Sequence, residues 1–406
     1  MPENKYAINI IDKIFILFFA LYYILPDMSN RFNFLIPIVL GMGYMAYVLF
    51  ISKGSVNEVL KYFFLICFIA LLYCFLTDTT TIAATASNKL FKRFISKYYQ
   101  LFMMFLAVFL LKQVIDRGTI KQKKFFLTIS YLLYVYVVLI TFRELVVNPN
   151  ITKEWSEFAE SSKNNIGNYY FVYAVPILIA LCTSALLKYK KPILKIIFAL
   201  VIVFLFYFLL LAQYTLSVLI SIIGIGLCVY NNAKTTVNKT LILLLFVFLA
   251  IAFPYIVLFA AKKVPSEQMS VRLYEIYQFF TDGDATGYNL NGRLELYKKS
   301  IVAFLKSPIW GNRSVNFDGH ATFLTVLCDL GLLGGIPYFY LFGHSRKKVS
   351  SLINDPQNRF IPIYIMLVLM GLTNPIHMAL PLMYVIWFVA PVSLNVLSEN
   401  NINFGG

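Results

Sequence analysis

Polar residues interrupt an otherwise apolar chain between Arg293 and His320, and this stretch holds residue types suited to proton transfer and anion binding. His320 is one of three histidines, and imidazole readily takes a proton near neutral pH. Arg272 and Arg293 precede it, and guanidinium groups bind phosphate through paired, charge-assisted hydrogen bonds. We therefore expect His320 to act as a base beside two arginines that hold a diphosphate.

Each of these residues also has a simpler explanation. Both arginines could bind lipid headgroups, and a histidine at the start of a helix could be a polar cap. Asp329 follows His320 by nine residues, about 13 Å along a straight helix, so it cannot orient the imidazole directly. We expect Asp329 to hydrogen-bond within the bundle or to line a cavity. His344 and His377 are weaker candidates for the site.

Two amphipathic helices are predicted to position the arginines. The first covers Val271 to Phe280, a turn region follows from Thr281 to Asn291, and the second helix covers Gly292 to Leu305, before Pro308. Each arginine is then near the start of a surface helix, where free N–H groups and the helix dipole favour an anion.

The composition indicates a membrane protein with several spans. Hydrophobic residues make up 60% of the 406 residues, charged residues 13%, and the mean hydropathy is +0.74, which excludes a soluble globular class. The net charge of +16 comes from lysines and arginines clustered between apolar runs, a pattern of membrane orientation that argues against nucleic acid as a partner. The five cysteines fall in apolar runs without metal-ligand spacing, so we expect no disulfide and no metal site.

An all-α transmembrane bundle of about twelve spans follows from the runs of about 20 apolar residues. The first run is interpreted as an uncleaved signal anchor, and the boundary between the seventh and eighth spans falls at Ala212 to Thr215. The predicted centres are Phe18, Leu40, Ile69, Phe105, Val135, Ile177, Phe204, Ile222, Val247, Leu332, Val368 and Ile386.

Basic clusters in three predicted short loops place both termini on the cytoplasmic side. The long segment from Lys262 to Gly319 then faces outward, and its length indicates a functional role. The segment from Asn88 to Lys97 is also basic, but the number of predicted spans before it places it on the external side of the membrane. We interpret it as an interfacial helix in preference to a substrate site. The clusters are Lys112, Arg117, Lys121, Lys123 and Lys124; Lys188, Lys190, Lys191 and Lys195; and Arg346, Lys347 and Lys348.

Three regions are expected from this pattern. Residues 1–261 hold spans one to nine, 262–322 form the external loop with the candidate active site, and 323–406 hold spans ten to twelve and a cytoplasmic C-terminus.

The C-terminal third resembles the O-antigen ligase and Wzy polymerase superfamily of bacterial polysaccharide enzymes. Its pattern has an arginine, a Gly-Arg pair opening a helix, a Pro-aliphatic-x-Gly element, a histidine and a Gly-Leu-x-Gly turn in the next membrane helix. These fall on Arg272, Gly292 with Arg293, Pro308 to Gly311, His320, and Gly331 to Gly334.

Further upstream the match is less complete. Asn164, Asn165 and Asn168 resemble an Asn-containing element of the family. Two positions depart from its pattern: Ala321 follows the histidine where Asn, Ser or Gln is usual, and Gln213 with Tyr214 stands where many members have Ser-Arg.

The resemblance implies a GT-C-like integral membrane glycosyltransferase of the bacterial inner membrane, with a helical periplasmic loop and no metal or other cofactor. Its donor would be a glycan on undecaprenyl diphosphate, held by Arg272 and Arg293. His320 would deprotonate the attacking sugar hydroxyl, and the anomeric centre would be inverted. Expected partners are this lipid-linked oligosaccharide, membrane lipids, and a flippase and chain-length regulator of the same pathway.

The motifs leave the acceptor open. A polymerase extends a lipid-linked chain, as in O-antigen or capsule synthesis, whereas an O-antigen ligase transfers the glycan to lipid A core. The bias towards Ile, Lys, Asn, Phe and Tyr favours the polymerase. A polysaccharide transporter or flippase is a remote alternative, since the predicted spans hold almost no ionisable groups apart from Asp329. A purely structural scaffold also stays open.

Overall fold

The computed structural model describes residues 7–32, 35–52, 61, 65–66, 68–69, 87–153, 164–264, 267–282, 288–312, 321–353, 358–376 and 379–402. Throughout these ranges the regular elements are all helical. In chain order they are α1 (Ile10–Ile24), α2 (Pro26–Arg31), α3 (Leu35–Ser52), α4 (Ser87–Arg117), α5 (Ile120–Val147), α6 (Tyr169–Val172), α7 (Val175–Lys188), α8 (Pro192–Leu211), α9 (Thr215–Asn232), α10 (Thr236–Lys263), α11 (Glu267–Asp282), α12 (Tyr288–Lys306), α13 (Thr322–Ile353), α14 (Phe360–Thr373), α15 (Leu380–Tyr384), a π-helical turn (Val385–Val389) and α16 (Ala390–Ile402).

Six stretches of helix within the described ranges are long and apolar enough to cross a membrane. A seventh is added if the two halves of α10, bent by 53°, form one span, and two shorter apolar helices lie in α3 and α14. The predicted centres lie in described helices except Ile69, which belongs to a segment described only in part. These helices support a multi-pass membrane protein, while the number of about twelve spans stays a prediction.

The span from Leu380 to Glu399 forms the centre of the bundle, and its most apolar stretch of 18 residues is completely buried. It packs against α1, α4, α5, α7, α13 and α14. By contrast, α8 is the most apolar span and one of the most exposed. A helix that faces lipid must be apolar around its outer surface, whereas a central helix can keep polar side chains that bond to neighbours. Apolar character therefore does not identify the central span.

The predicted basic loops are mostly helical, which corrects that part of the sequence interpretation. Arg346, Lys347 and Lys348 lie inside α13 and not in a loop. In the first cluster only Gly118 and Thr119 connect two helices, and the basic residues around them belong to α4 or α5. Hydropathy marks where the apolar run ends, but a helix can continue beyond the hydrocarbon region.

A similar continuity holds further upstream. Residues 88–97, interpreted as an interfacial helix, form the first turns of α4 and continue without a break into the span around Phe105. The tight connection predicted between the seventh and eighth spans is present, with Ala212, Gln213 and Tyr214 joining α8 to α9.

A buried ion pair holds the start of α1 against the end of α4. The Asp12 side chain is 0% exposed and the Arg117 side chain 8%, with Arg117 Nη2 2.7 Å from Asp12 Oδ2. Tyr44 donates a hydrogen bond to Asp12 Oδ1 at 2.9 Å, and Asn9 and Asp12 form a capping box. Since a charge is costly to bury without a partner, this network requires all of its members.

The same end of the bundle holds the end of the central span. Lys123 Nζ lies 2.8 Å from Glu399 Oε1 and donates to Asn395 Oδ1 at 3.0 Å. Lys188 donates to the Leu397 carbonyl. One lysine from each of two predicted basic clusters therefore contacts residues 395–399.

The buried pair and an exposed pair predict different effects of the same substitution. Asp12→Asn leaves the Arg117 charge buried without its counterion, and we expect a loss of about 3–5 kcal/mol. Asp27→Asn breaks the pair with Arg31, whose side chain is 69% exposed, and we expect at most about 1 kcal/mol. Thermal unfolding of the detergent-solubilised chain measures both. Equal shifts in the two variants would contradict the assignment of Asp12 as a buried structural centre.

Candidate functional site

The candidate site is built around a break in α13. Gly331 has φ 58° and ψ −159°, so the backbone leaves the helical path directly after Leu330. This backbone conformation is essentially restricted to glycine, because any Cβ atom would clash with the backbone. The Gly-Leu-x-Gly element is thus a point where the helix is interrupted within its membrane-spanning length.

The break exposes backbone groups that the segment following α12 satisfies. Leu332 N–H donates to the Pro308 carbonyl at 2.7 Å, and Leu333 N–H donates to the Ile309 carbonyl at 3.1 Å. In the other direction, Asn312 N–H donates to the Cys328 carbonyl at 2.6 Å. A buried backbone group needs a partner, so these bonds join the two segments into one unit.

Two glycines permit this close approach. A Cβ atom on Gly311 would lie 2.4 Å from the Asp329 carbonyl oxygen, and one on Gly331 would lie 2.4 Å from the Ile309 carbonyl oxygen. Gly311 also has a positive φ of 74°. The Pro308 to Gly311 and Gly331 to Gly334 elements, separate in the sequence, therefore contact each other through their backbones. We call this contact the glycine junction.

The glycine junction can be tested with two glycines of the same helix. Gly331→Ala introduces backbone strain of about 1–3 kcal/mol and an overlap with the Ile309 carbonyl. Gly343→Ala is the matched control, because a Cβ there meets no described atom within 4 Å and φ is not positive. We expect a lower thermal unfolding midpoint for Gly331→Ala and an unchanged or higher one for Gly343→Ala, since alanine favours helix. An unchanged midpoint in Gly331→Ala would count against the junction.

Asn374 joins the helix ends beside the junction. It is fully buried at the end of α14, and its carbonyl accepts from both the N–H and the hydroxyl of Thr322, each at 3.1 Å. Its Oδ1 accepts from Tyr173 Oη at 2.7 Å and from Tyr169 Oη at 3.5 Å. Nearby, Tyr297 of α12 donates to the Thr373 carbonyl at 2.9 Å. Asn374 thus connects the first residue of α13 to α6 and to Tyr173 directly after it, and α12 is anchored one residue away.

A lysine and a third tyrosine extend this region. Lys153 Nζ donates to Gln213 Oε1 at 3.2 Å and lies 5.3 Å from the centroid of the Tyr214 ring. Tyr214 contacts the rings of Tyr169 and Tyr173, with centroids 5.5 and 6.0 Å apart. At the position where the resemblance would place a Ser-Arg pair, the structure therefore has Gln213 and Tyr214 with a cation from another segment.

The sequence interpretation missed Lys153 and Asn374. Lys153 lies between the fifth and sixth predicted spans and belongs to none of the predicted basic clusters, and the signal for Asn374 was only its position before Pro375 at a helix end. Gln213 has φ 57°, which is uncommon for a non-glycine residue and is found more often at functional sites. Spacing along the chain does not show that these residues meet.

Backbone positions are described for both predicted arginines, and each is the sixth residue of its helix, α11 or α12. The four free N–H groups of a helix belong to its first turn. Both arginines come after that turn and are therefore further from the helix start than expected. For α12 the reason is that the helix begins at Tyr288, inside the predicted turn region, and not at Gly292.

Position 293 shares a face of α12 with Tyr297 and Ser300, by the spacing of four and seven residues. That face packs on the bundle, since Ser300 is buried and its carbonyl accepts from the Cys328 thiol at 3.4 Å. Position 272 adjoins Leu273, through which α11 packs on α10. By helical register, position 293 is therefore on the face of α12 that packs on the bundle, whereas α11 packs on α10.

His320 and His377 lie outside the described residues. The residues on either side of 313–320 are both fixed to α13: Asn312 by its bond to Cys328, and Ala321 by preceding Thr322. Asp329 is buried, and its carbonyl forms part of the glycine junction.

The upstream asparagines have structural contacts. Asn168 caps α6 by accepting from the N–H groups of Tyr170 and Phe171. Asn165 has φ 57° and accepts from the Asp27 N–H at 3.2 Å. Asn164 is exposed. Two of the three therefore shape the segment that leads to Tyr169 and Tyr173.

The two tyrosines bound to Asn374 give a matched test of that centre. Tyr173→Phe removes a bond of 2.7 Å from a buried hydroxyl, and we expect a loss of about 1 kcal/mol in stability. Tyr169→Phe removes a contact of 3.5 Å, at the limit of a hydrogen bond, and should have little effect. Thermal unfolding of both variants distinguishes them, and a larger loss for Tyr169→Phe would refute the bonding pattern.

A scan of the chain against protein-family models found no match, and a search of curated proteins also found none.

Proposed function

We propose that the chain is a polysaccharide polymerase of the O-antigen or capsule type. It would transfer a glycan from undecaprenyl diphosphate to a sugar hydroxyl of a lipid-linked repeat unit. The glycine junction carries this proposal: two elements singled out by the resemblance to the O-antigen ligase and Wzy polymerase superfamily contact each other through their backbones. This contact explains why the Pro308 to Gly311 element and the Gly331 to Gly334 element occur together in one chain.

A diphosphate donor requires cations that bind its oxygens. Arg272 and Arg293 are proposed to bind these oxygens, and Lys153, which contacts Gln213 and Tyr214, is proposed to add positive charge. Preorganised cations favour the transition state because negative charge grows on the leaving diphosphate. Of the two arginines, Arg293 has the more direct support, because its position is on the side of α12 that packs on the bundle.

His320 is the proposed base. The acceptor hydroxyl oxygen forms a bond to the anomeric carbon while the bond from that carbon to the diphosphate breaks, which inverts the centre. The hydroxyl proton passes to the imidazole, and undecaprenyl diphosphate leaves with the electron pair of the broken bond. Thr322, two residues after His320, is held twice by Asn374, which supports a base near this helix start.

The proposal includes the arrangement in the membrane. We place about twelve GT-C-like spans in a bacterial inner membrane, with both termini cytoplasmic and the junction on the external side. Support comes from the basic residues Lys123 and Lys188, which gather at residues 395–399, because cytoplasmic ends carry the excess of lysine and arginine. The same span starts near Asn374. Its two ends are about 28 Å apart at 1.5 Å per residue, so Asn374 lies at the other side of the membrane from residues 395–399.

The acceptor is tested with membranes that contain the chain and a single lipid-linked repeat unit, without core lipid. We expect a ladder of lipid-linked products on gels. Formation of product only after core lipid is added would reject the polymerase and favour the ligase.

The proposed base is tested by His320→Ala, with His344→Ala of α13 as the matched control. We expect His320→Ala to reduce polymer formation by about a hundred- to ten-thousandfold while the chain remains folded and membrane-inserted. His344→Ala should retain activity. Polymer synthesis at the normal rate in His320→Ala would remove the catalytic assignment.

A further inference from the structure

A groove lies along α13, and the residues that form the glycine junction do not line it. It has a volume of about 540 Å³ and is lined by Lys61, Leu65, Phe68, Ile336, Pro337 and Tyr340. Apart from the lysine and the tyrosine hydroxyl, these side chains are apolar. We call it the α13 groove.

Both walls of the α13 groove follow helical spacing. Lys61, Leu65 and Phe68 are separated by four and three residues, which is the spacing of one helix face, and Ile336 and Tyr340 lie four residues apart on one face of α13. Lys61 Nζ donates to Tyr340 Oη at 3.3 Å and lies 5.6 Å from the ring centroid. Lys61 is exposed. The polar atoms of the two walls therefore meet at one end of the groove.

That end leads to further basic residues on α13. His344 stacks on Tyr340 with ring centroids 5.6 Å apart, and Lys347 follows on the same face and is exposed. From Ile336 to Lys347 the helix rises about 16 Å, close to half of the roughly 30 Å hydrocarbon thickness. One helix face thus changes from apolar to basic over the depth of one leaflet.

The charge of Lys61 indicates what occupies the groove. Among the described residues, no carboxylate forms an ion pair with Lys61, and an ammonium group facing hydrocarbon is costly without a counterion. A ligand with an anionic head and an apolar tail would supply the counterion and cover the apolar wall.

We propose that the α13 groove binds an anionic phospholipid. Its phosphate lies between Lys61 and Lys347, and an acyl chain lies along Phe68, Ile336 and Pro337. The charge complementarity at one end selects this occupant over a second copy of the chain, and basic residues at the membrane surface attract anionic headgroups. This site is independent of the proposed glycosyl transfer.

Photolabelling of the full chain tests the proposal. The chain is reconstituted in phosphatidylcholine vesicles that contain photoreactive phosphatidylglycerol, or photoreactive phosphatidylcholine in a parallel set, and labelled peptides are identified by mass spectrometry. We expect phosphatidylglycerol to label the peptide containing Ile336 to Tyr340 more strongly than phosphatidylcholine does. Lys61→Gln should reduce this labelling about fivefold, whereas Lys299→Gln, on exposed α12, should leave it unchanged.

Two further variants distinguish a loss of lipid binding from a loss of folding. Lys61→Arg keeps the charge and should retain the labelling, while Ile336→Trp should reduce labelling by both lipids because it fills the groove. Equal labelling by the two lipids, or labelling unaffected by Lys61→Gln, would overturn the proposal. Crosslinks from this face to a second copy of the chain would also overturn it.

Discussion

The contact between Gly311 and Gly331 is the constraint on which the arrangement of the site depends. At this point two backbones approach so closely that a single methyl group on either glycine would overlap a carbonyl oxygen of the other segment. The break in α13 supplies free N–H groups, and the segment after Pro308 supplies carbonyls in matching positions. A surface helix, α12, is thereby fixed to a membrane helix, and the residues on either side of 313–320 are fixed with it.

Two polar centres stabilise opposite ends of the central span. Near its C-terminal end the Asp12–Arg117 pair and the Lys123–Glu399 pair use full charges. Near its start, Asn374 uses neutral hydrogen bonds to Tyr173 and Thr322. The two ends of the central span are therefore stabilised by different chemistry, with ion pairs at one end and neutral hydrogen bonds at the other.

Sequence patterns predicted the helices of the bundle well, because long apolar runs and caps are local properties. They also predicted the end of α12 before Pro308 and the connection at Gln213. They failed where helices continue beyond the apolar run, as at Lys347, and at the start of α12. The glycine junction could not be predicted, since it depends on how segments 20 residues apart pack. Asn374 and Lys153 were missed for the same reason, and His320 stays a prediction.

Hydrogen exchange across the glycine junction tests the central claim most directly. Peptides covering residues 308–312 and 328–334 are followed by mass spectrometry in the solubilised chain and in Gly311→Ala. If the junction holds the loop on α13, the amides of Asn312, Leu332 and Leu333 are protected in the native chain and exchange at least about tenfold faster in the variant, which corresponds to about 1.4 kcal/mol. Equal exchange in the two proteins would contradict the claim that this contact fixes the site.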